Sequence, residues 1–171
     1  VPYAISQLSG PYASVPDFLD SQHVIETKDD ADAYVARLHE FARFLDESTR
    51  FQQDDVRYGA FAPDFCLDLA LGQLRALRDQ PAAKTVLVDS IVRRTAEKKI
   101  AGDWGARAET IVTAEIFPAL DRQIALVTGL RKAASHDAGC WRLPNGDESY
   151  ADALMNATTT TLSPEEVHQM G

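Results

Sequence analysis

A chain of 171 residues, 45% of them hydrophobic and 25% charged, is long enough to bury one core, and its composition excludes a disordered polar tail. The formal net charge of −9 repels phosphate backbones and anionic lipid, so nucleic acid is not an expected partner. No apolar run reaches the length of a membrane-spanning helix, and no charged-then-apolar leader is present.

The first 28 residues carry Pro2, Gly10, Pro11 and Pro16, a density that forbids a long helix and predicts an extended lead-in with one short helix around Val15 to Asp20. His23 falls in this loop and is assigned no role. Thr27 or Asp29 can then cap a helix whose Asp30 and Asp32 meet the positive end of the dipole. Ala31, Tyr34, Val35, Leu38, Phe41, Ala42 and Leu45 line its inner face, and His39 sits at the edge. From Asp46 to Tyr58 the residues turn polar, which reads as a second helix or a kinked continuation ending at Gly59.

Pro63 suits the first turn of the next helix, where Phe65, Cys66, Leu67, Leu69, Ala70, Leu71, Leu74 and Leu77 cover more than half the circumference. That width predicts a central position, with Gly72 admitting a close neighbour. A helix from Thr85 to Ile100 follows, with Val86, Leu87, Val88, Ile91 and Val92 inward. Arg93, Arg94, Lys98 and Lys99 form a basic patch, read as local neutralisation rather than a ligand site. The longest helix is expected from Asp103 to Ala134, kinked near Ala114 to Phe117 because Pro118 removes a backbone donor. The fold class is therefore all-α: an antiparallel helical array with one long proline-kinked helix and at most one short strand near the C-terminus. No repeat of fixed period and no linker divides residues 1–171, which are read as a single domain.

The segment from Gly139 to Gly171 is denser in signals. Leu143-Pro144-Asn145-Gly146-Asp147 is turn chemistry, followed by a short helix with Tyr150, Ala153, Leu154 and Ala157, and Trp141 is expected to anchor the turn on the core. Thr158 to Thr161 are four β-branched residues in a row, which favour a short strand able to pair with an extended peptide, or a locally bonded connector. Ser163-Pro164-Glu165-Glu166 is a capping box with proline at the first helical position. Glu165 and His168 share a face, but two ligands do not make a zinc site. Cys66 and Cys140 match no metal-ligand spacing; both a disulfide and two idle thiols are open to them, the second preferred.

Taken together, Leu143-Pro144-Asn145-Gly146-Asp147, Tyr150, Thr158-Thr159-Thr160 and Leu162-Ser163-Pro164-Glu165-Glu166-Val167-His168-Gln169-Met170-Gly171 resemble the bacterial domain-of-unknown-function 885 family. Looser agreement extends to Tyr34–Leu38, Gly59–Pro63 and Ile116-Phe117-Pro118-Ala119. Thr161, where members often carry a polar residue such as Asp, departs from the pattern. The resemblance implies a largely helical zinc-dependent peptidase with a deep channel, whose His-Glu metal motif lies downstream of the threonine block. No HExxH occurs in this sequence, so the resemblance implies an N-terminal portion that is inert by itself, with no catalytic residue or metal of its own. Zinc and a peptide substrate are expected only in the full-length protein, with Thr158, Thr159, Thr160 and His168 beside the substrate. Export, as a lipoprotein or through a signal peptide, is the favoured location and suits Val1 in place of an initiator methionine. A non-enzymatic helical scaffold module, with the basic patch or the threonine strand as its interface, is the alternative.

Overall fold

The computed structural model describes residues 3–170. Pro2 and Gly171, which the sequence reading uses in the lead-in and as the close of the terminal block, lie outside them. Among the described residues there is no strand; one isolated bridge joins Ser6 and Ser9.

Eight helices follow in order: α1 Pro11–Asp17, α2 Lys28–Arg57, α3 Asp64–Arg78, α4 Val86–Glu97, α5 Trp104–Ile111, α6 Phe117–Ala133, α7 Gly146–Thr158 and α8 Pro164–Met170. Five-residue π-helical turns extend α1 over Phe18–Gln22 and join α5 to α6 over Val112–Ile116. The all-α expectation therefore holds. The lead-in helix forms four residues earlier than expected, with Pro11 at its first position, where the missing N–H is not needed.

The helix α2 begins with a reciprocal capping box. Asp30 N–H donates to the Thr27 hydroxyl at 3.2 Å, and Thr27 N–H donates to the Asp30 carboxylate at 2.8 Å. The Thr27 hydroxyl, followed by the Glu26 and Thr27 N–H groups, donates to the Asp30 carboxylate and holds it below its ordinary pKa. The helix then runs unbroken for 30 residues to Arg57, and Gly59 supplies the left-handed backbone, at φ 76°, that ends it. The predicted break near Asp46 is absent because Ser48, Thr49 and Gln52 are buried and continue the inner stripe with polar side chains. Thr49 satisfies its hydroxyl on Leu45 O at 2.8 Å, and Gln52 bridges Ile5 N–H at 3.1 Å and Ala60 O at 3.1 Å. Once the helix is continuous, a seven-residue spacing is visible on its wet side. Glu40, Glu47 and Asp54 recur beside Arg43, Arg50 and Arg57, and beside the exposed aromatics Phe44, Phe51 and Tyr58. The statement that no spacing repeats is corrected to that extent.

The helix α2 is the central one. It packs against α1, α4, α5 and α6, and Tyr34, Leu38, Phe41 and Leu45 are almost fully covered. The wide apolar face of α3 does not place it centrally: α3 packs chiefly on α6, while Leu69 remains 56% exposed. Gly72 faces open space rather than a close neighbour. Val92, expected inward, is 44% exposed.

The α5–α6 rod carries a π-helical turn over Val112–Ile116, overlapping the Ala114 to Phe117 stretch where the proline was expected to act. Phe117 N–H reaches back five residues to Val112 O, which lets Pro118 enter the first turn of α6 without a lost interior bond. Three of the four basic residues on and just after α4 are engaged internally. Arg93 pairs with Asp20 at 3.2 Å, Lys98 with Glu26 at 2.6 Å, and Arg94 donates to the carbonyls of Leu19, Asp20 and His23. These three tie the α1–α2 connection to α4. His23 is likewise not an idle loop residue: it is buried against Tyr34 with both ring nitrogens engaged.

Candidate functional site

The terminal segment leaves the helical body at Ala134, where Asp64 N–H donates to Ser135 O at 3.0 Å, and is held further along by one guanidinium. Arg142 donates to Phe61 O at 2.6 Å and to the Tyr3 hydroxyl at 3.2 Å, with its charge 5.9 Å from the Tyr3 ring centroid. Pro144 packs over Gly59, so the turn after α2 and the turn before α7 are in contact. Asn145 takes the left-handed conformation, φ 54°, that Asn tolerates ahead of Gly146. A β-carbon at Gly146 would come within 2.1 Å of Cys140 O, so this position admits only glycine.

Between α7 and the α2–α3 turn lies a cleft of about 490 Å³, lined by Ala60, Cys140, Leu143, Pro144, Tyr150 and Ala153 among others. Both cysteines are free thiols, Cys66 buried and Cys140 half-buried. Trp141 does not anchor the turn in the core; it is 67% exposed and lies over Gly139. The anchoring falls to Arg142, which the sequence reading passed over because an arginine in a turn carries no distinguishing signal.

The threonine run is not a strand. Thr158 is the last residue of α7, bonding through Oγ1 to Leu154 O at 2.8 Å, and Thr159 caps the helix in the left-handed region at φ 56° with its N–H on Met155 O at 2.8 Å. Thr158 Oγ1 lies 3.0 Å from Thr160 Oγ1. The short α7 needed a C-terminal stop, and hydroxyl-to-backbone bonding outcompeted extended pairing. Threonine is strained at positive φ, so Thr159→Gly is expected to raise stability by about 1 kcal/mol in a denaturant titration. A lower midpoint would show that the turn depends on the threonine hydroxyl.

The predicted capping box at Ser163 is present. Ser163 N–H donates to the Glu166 carboxylate at 2.8 Å, Glu166 N–H donates to Ser163 Oγ at 3.3 Å, and the Glu166 carboxyl is held below its ordinary pKa by the Ser163 N–H and hydroxyl. His168 is exposed on α8. The structure thus brings Thr158, Thr159 and Thr160 into one turn, and among the described residues no hydrogen bond joins His168 to them. Nor do three His, Cys, Asp or Glu side chains converge on a common point among the described residues. His39 pairs with Glu115 at 2.9 Å and His136 with Asp64 at 2.8 Å, so the donor set of this chain does not fit a zinc ion.

These features define an all-α array carrying a solvent-exposed pair of terminal helices, α7 and α8, as an arm. Residues 2–171 match the family described as bacterial protein of unknown function (DUF885), and the chain belongs to that family. Among solved structures, the "putative lipoprotein from Colwellia psychrerythraea" is similar with a TM-score of 0.89 at 22% identity. The match covers 98% of this chain and 30% of that one, so the chain spans under a third of that protein's length and shares its fold. No curated protein matches. No helix among the described residues is long and apolar enough to cross a membrane.

Proposed function

We propose that the chain forms the N-terminal helical wall of a larger zinc-dependent peptidase and contributes no catalytic group itself. The observation that carries this reading is the exposed arm. On α7, the α7–α8 connection and α8, the large apolar side chains Tyr150, Met155, Leu162 and Met170 face solvent, while α7 packs mainly on its own preceding turn. Apolar residues left on packed, ordered helices mark a surface built to be covered. The arm also holds the residues by which the family is recognised.

In this reading the turn at Thr158–Thr160 and the exposed His168 border a peptide cleft. The locally bonded turn, one of the two forms open to this run, would contribute hydroxyl and backbone hydrogen bonding to an extended peptide rather than sheet pairing. Zinc would be held by residues of the longer protein, since the donor set here does not fit it. Export, as a lipoprotein or through a signal peptide, belongs to the same proposal; the neighbour's description as a lipoprotein supports it.

The test uses the full-length protein on a mixed peptide library. Hydrolysis is expected, lost at least about tenfold on chelation and restored by zinc, with the 171-residue chain alone inactive. His168→Ala and Thr160→Val in the full-length protein should lower kcat/KM about tenfold with no change in Tm. Full-length protein that binds peptides without cleaving them, with or without zinc, would replace this reading with a scaffold.

A further inference from the structure

The connection between α1 and α2 contains a buried histidine whose bonding admits only its neutral form. His23 is 6% exposed, and its two ring nitrogens face opposite demands. A guanidinium can only donate, so Nδ1, 2.7 Å from an Arg37 terminal nitrogen, must be the acceptor. Nε2 must then carry the proton, donated to Asp30 O at 3.0 Å. The ring edge packs on Tyr34 with centroids 5.3 Å apart. A proton added to Nδ1 would destroy the Arg37 bond and leave two donors facing each other.

We propose that His23 and Arg37 form an acid-sensitive latch that holds the Phe18–Glu26 connection against α2 and α4 at neutral pH and releases it on acidification. The charged groups around the ring oppose a second proton. Arg37 approaches from α2 and Arg94 from α4, where Arg94 also grips the backbone carbonyls of Leu19, Asp20 and His23. The nearby carboxylates are already engaged: Asp20 by Arg93, Glu26 by Lys98, and Asp30 by the amides of Glu26 and Thr27. Tyr34, the remaining titratable neighbour, donates to Leu87 O at 3.0 Å and is pushed above its ordinary pKa by burial. Desolvation lowers the His23 pKa, the bond to Asp30 O opposes it, and Arg37 and Arg94 add to the lowering, so that the net shift is downward.

The same arginine couples the latch to a surface groove. Arg37 lines an apolar groove with Val15, Phe18, Leu19, Phe41 and Phe44, and stands 5.9 Å from the Phe18 ring centroid. Losing the His23 acceptor frees Arg37, and the π-helical turn that forms one wall of that groove is left with one tie fewer to α2, the Nε2–H bond to Asp30 O remaining. The unfolded chain binds the proton that the fold refuses. The latch is therefore fully closed above about pH 6.5 and weakens as pH falls below it.

Hydrogen exchange of the amides of residues 18–26 tests this, compared at about pH 7.5 and about pH 5 after correction for intrinsic exchange. The wild-type His23 amide, bonded to Phe18 O, is expected to lose at least about tenfold protection at the lower pH, while the α6 amides keep theirs. His23→Gln supplies a donor and an acceptor at similar spacing without a titration, and should retain protection at both pH values. Equal protection of the wild type at both pH values, or equal acid loosening in His23→Gln, would overturn the proposal. Should the glutamine variant not fold, the ring nitrogen shifts of wild-type His23 decide: the Nε2–H tautomer persisting below the ordinary histidine range supports the latch, and an ordinary titration removes it.

Discussion

Leu120→Ala is expected to destabilise the chain by about 3 kcal/mol, within the range of about 2–5 kcal/mol found for emptying a buried leucine site. Leu120 is fully buried on α6, the helix that packs on both α2 and α3. Truncation there removes transfer free energy and also leaves a cavity, because α2 on one side and α3 on the other cannot both move in to fill it. For a chain of this size the loss corresponds to a fall in Tm of about 10 °C. Leu8→Ala is the control: Leu8 is 82% exposed, so its midpoint should stay within about 0.5 kcal/mol of wild type. Equal losses at the two sites would mean that α6 is not packed between α2 and α3 as described above. Calorimetry or a urea titration reads both.

Arg94→Ala is the second large effect, expected at about 2–4 kcal/mol. Three backbone carbonyls, of Leu19, Asp20 and His23, converge on this one guanidinium, which also meets Ser90 Oγ at 3.4 Å. Their own secondary structure cannot satisfy all of them, because the π turn ends at Gln22 and the chain runs extended through His23. Removing the guanidinium leaves half-buried acceptors with weakened partners, and each costs part of its desolvation. Arg94→Lys should recover only part of the loss, since an ammonium lacks the planar fork that reaches several carbonyls at once. Full recovery by lysine would show that charge near α4, rather than the directed bonds, holds the connection. Arg93→Ala, which removes exposed ion pairs with Asp20 and Glu97, should cost less than about 1 kcal/mol.

Much of the architecture was legible residue by residue. Thr27 with Asp30, and Ser163 with Glu166, announce helix starts through local hydrogen bonding that needs no distant partner. Gly59 and Pro118 act through their own backbones, one by tolerating positive φ and one by lacking an N–H, and the α2 terminus and the π turn between α5 and α6 lie beside them. Family membership was legible in the ordered terminal block, and the match over residues 2–171 bears it out.

The misplaced residues share a different cause. Trp141, Val92 and Leu69 are apolar but exposed, and His23 is polar but buried; in each case the outcome depends on which neighbour arrives, and nothing in the local spacing encodes that. For the threonine run, left open between a strand and a locally bonded connector, the structure shows the connector. β-branched residues favour a strand only where another strand can pair with them, and the end of α7 offered a helix cap instead. Buried Ser48, Thr49 and Gln52 hid the continuity of α2, because a polar inner face is indistinguishable from a wet one until its hydrogen-bond partners are known.

By itself, then, the sequence determined what local backbone chemistry controls: helix starts and stops, the all-α class and the family block. Only the tertiary structure decided which helix is central, which apolar side chains stay exposed on the terminal arm, and which histidine is sealed between two arginines. Those outcomes depend on burial and on the pairing of groups distant in the chain, such as Arg94 with His23 and Arg142 with Phe61, which no short stretch of residues contains.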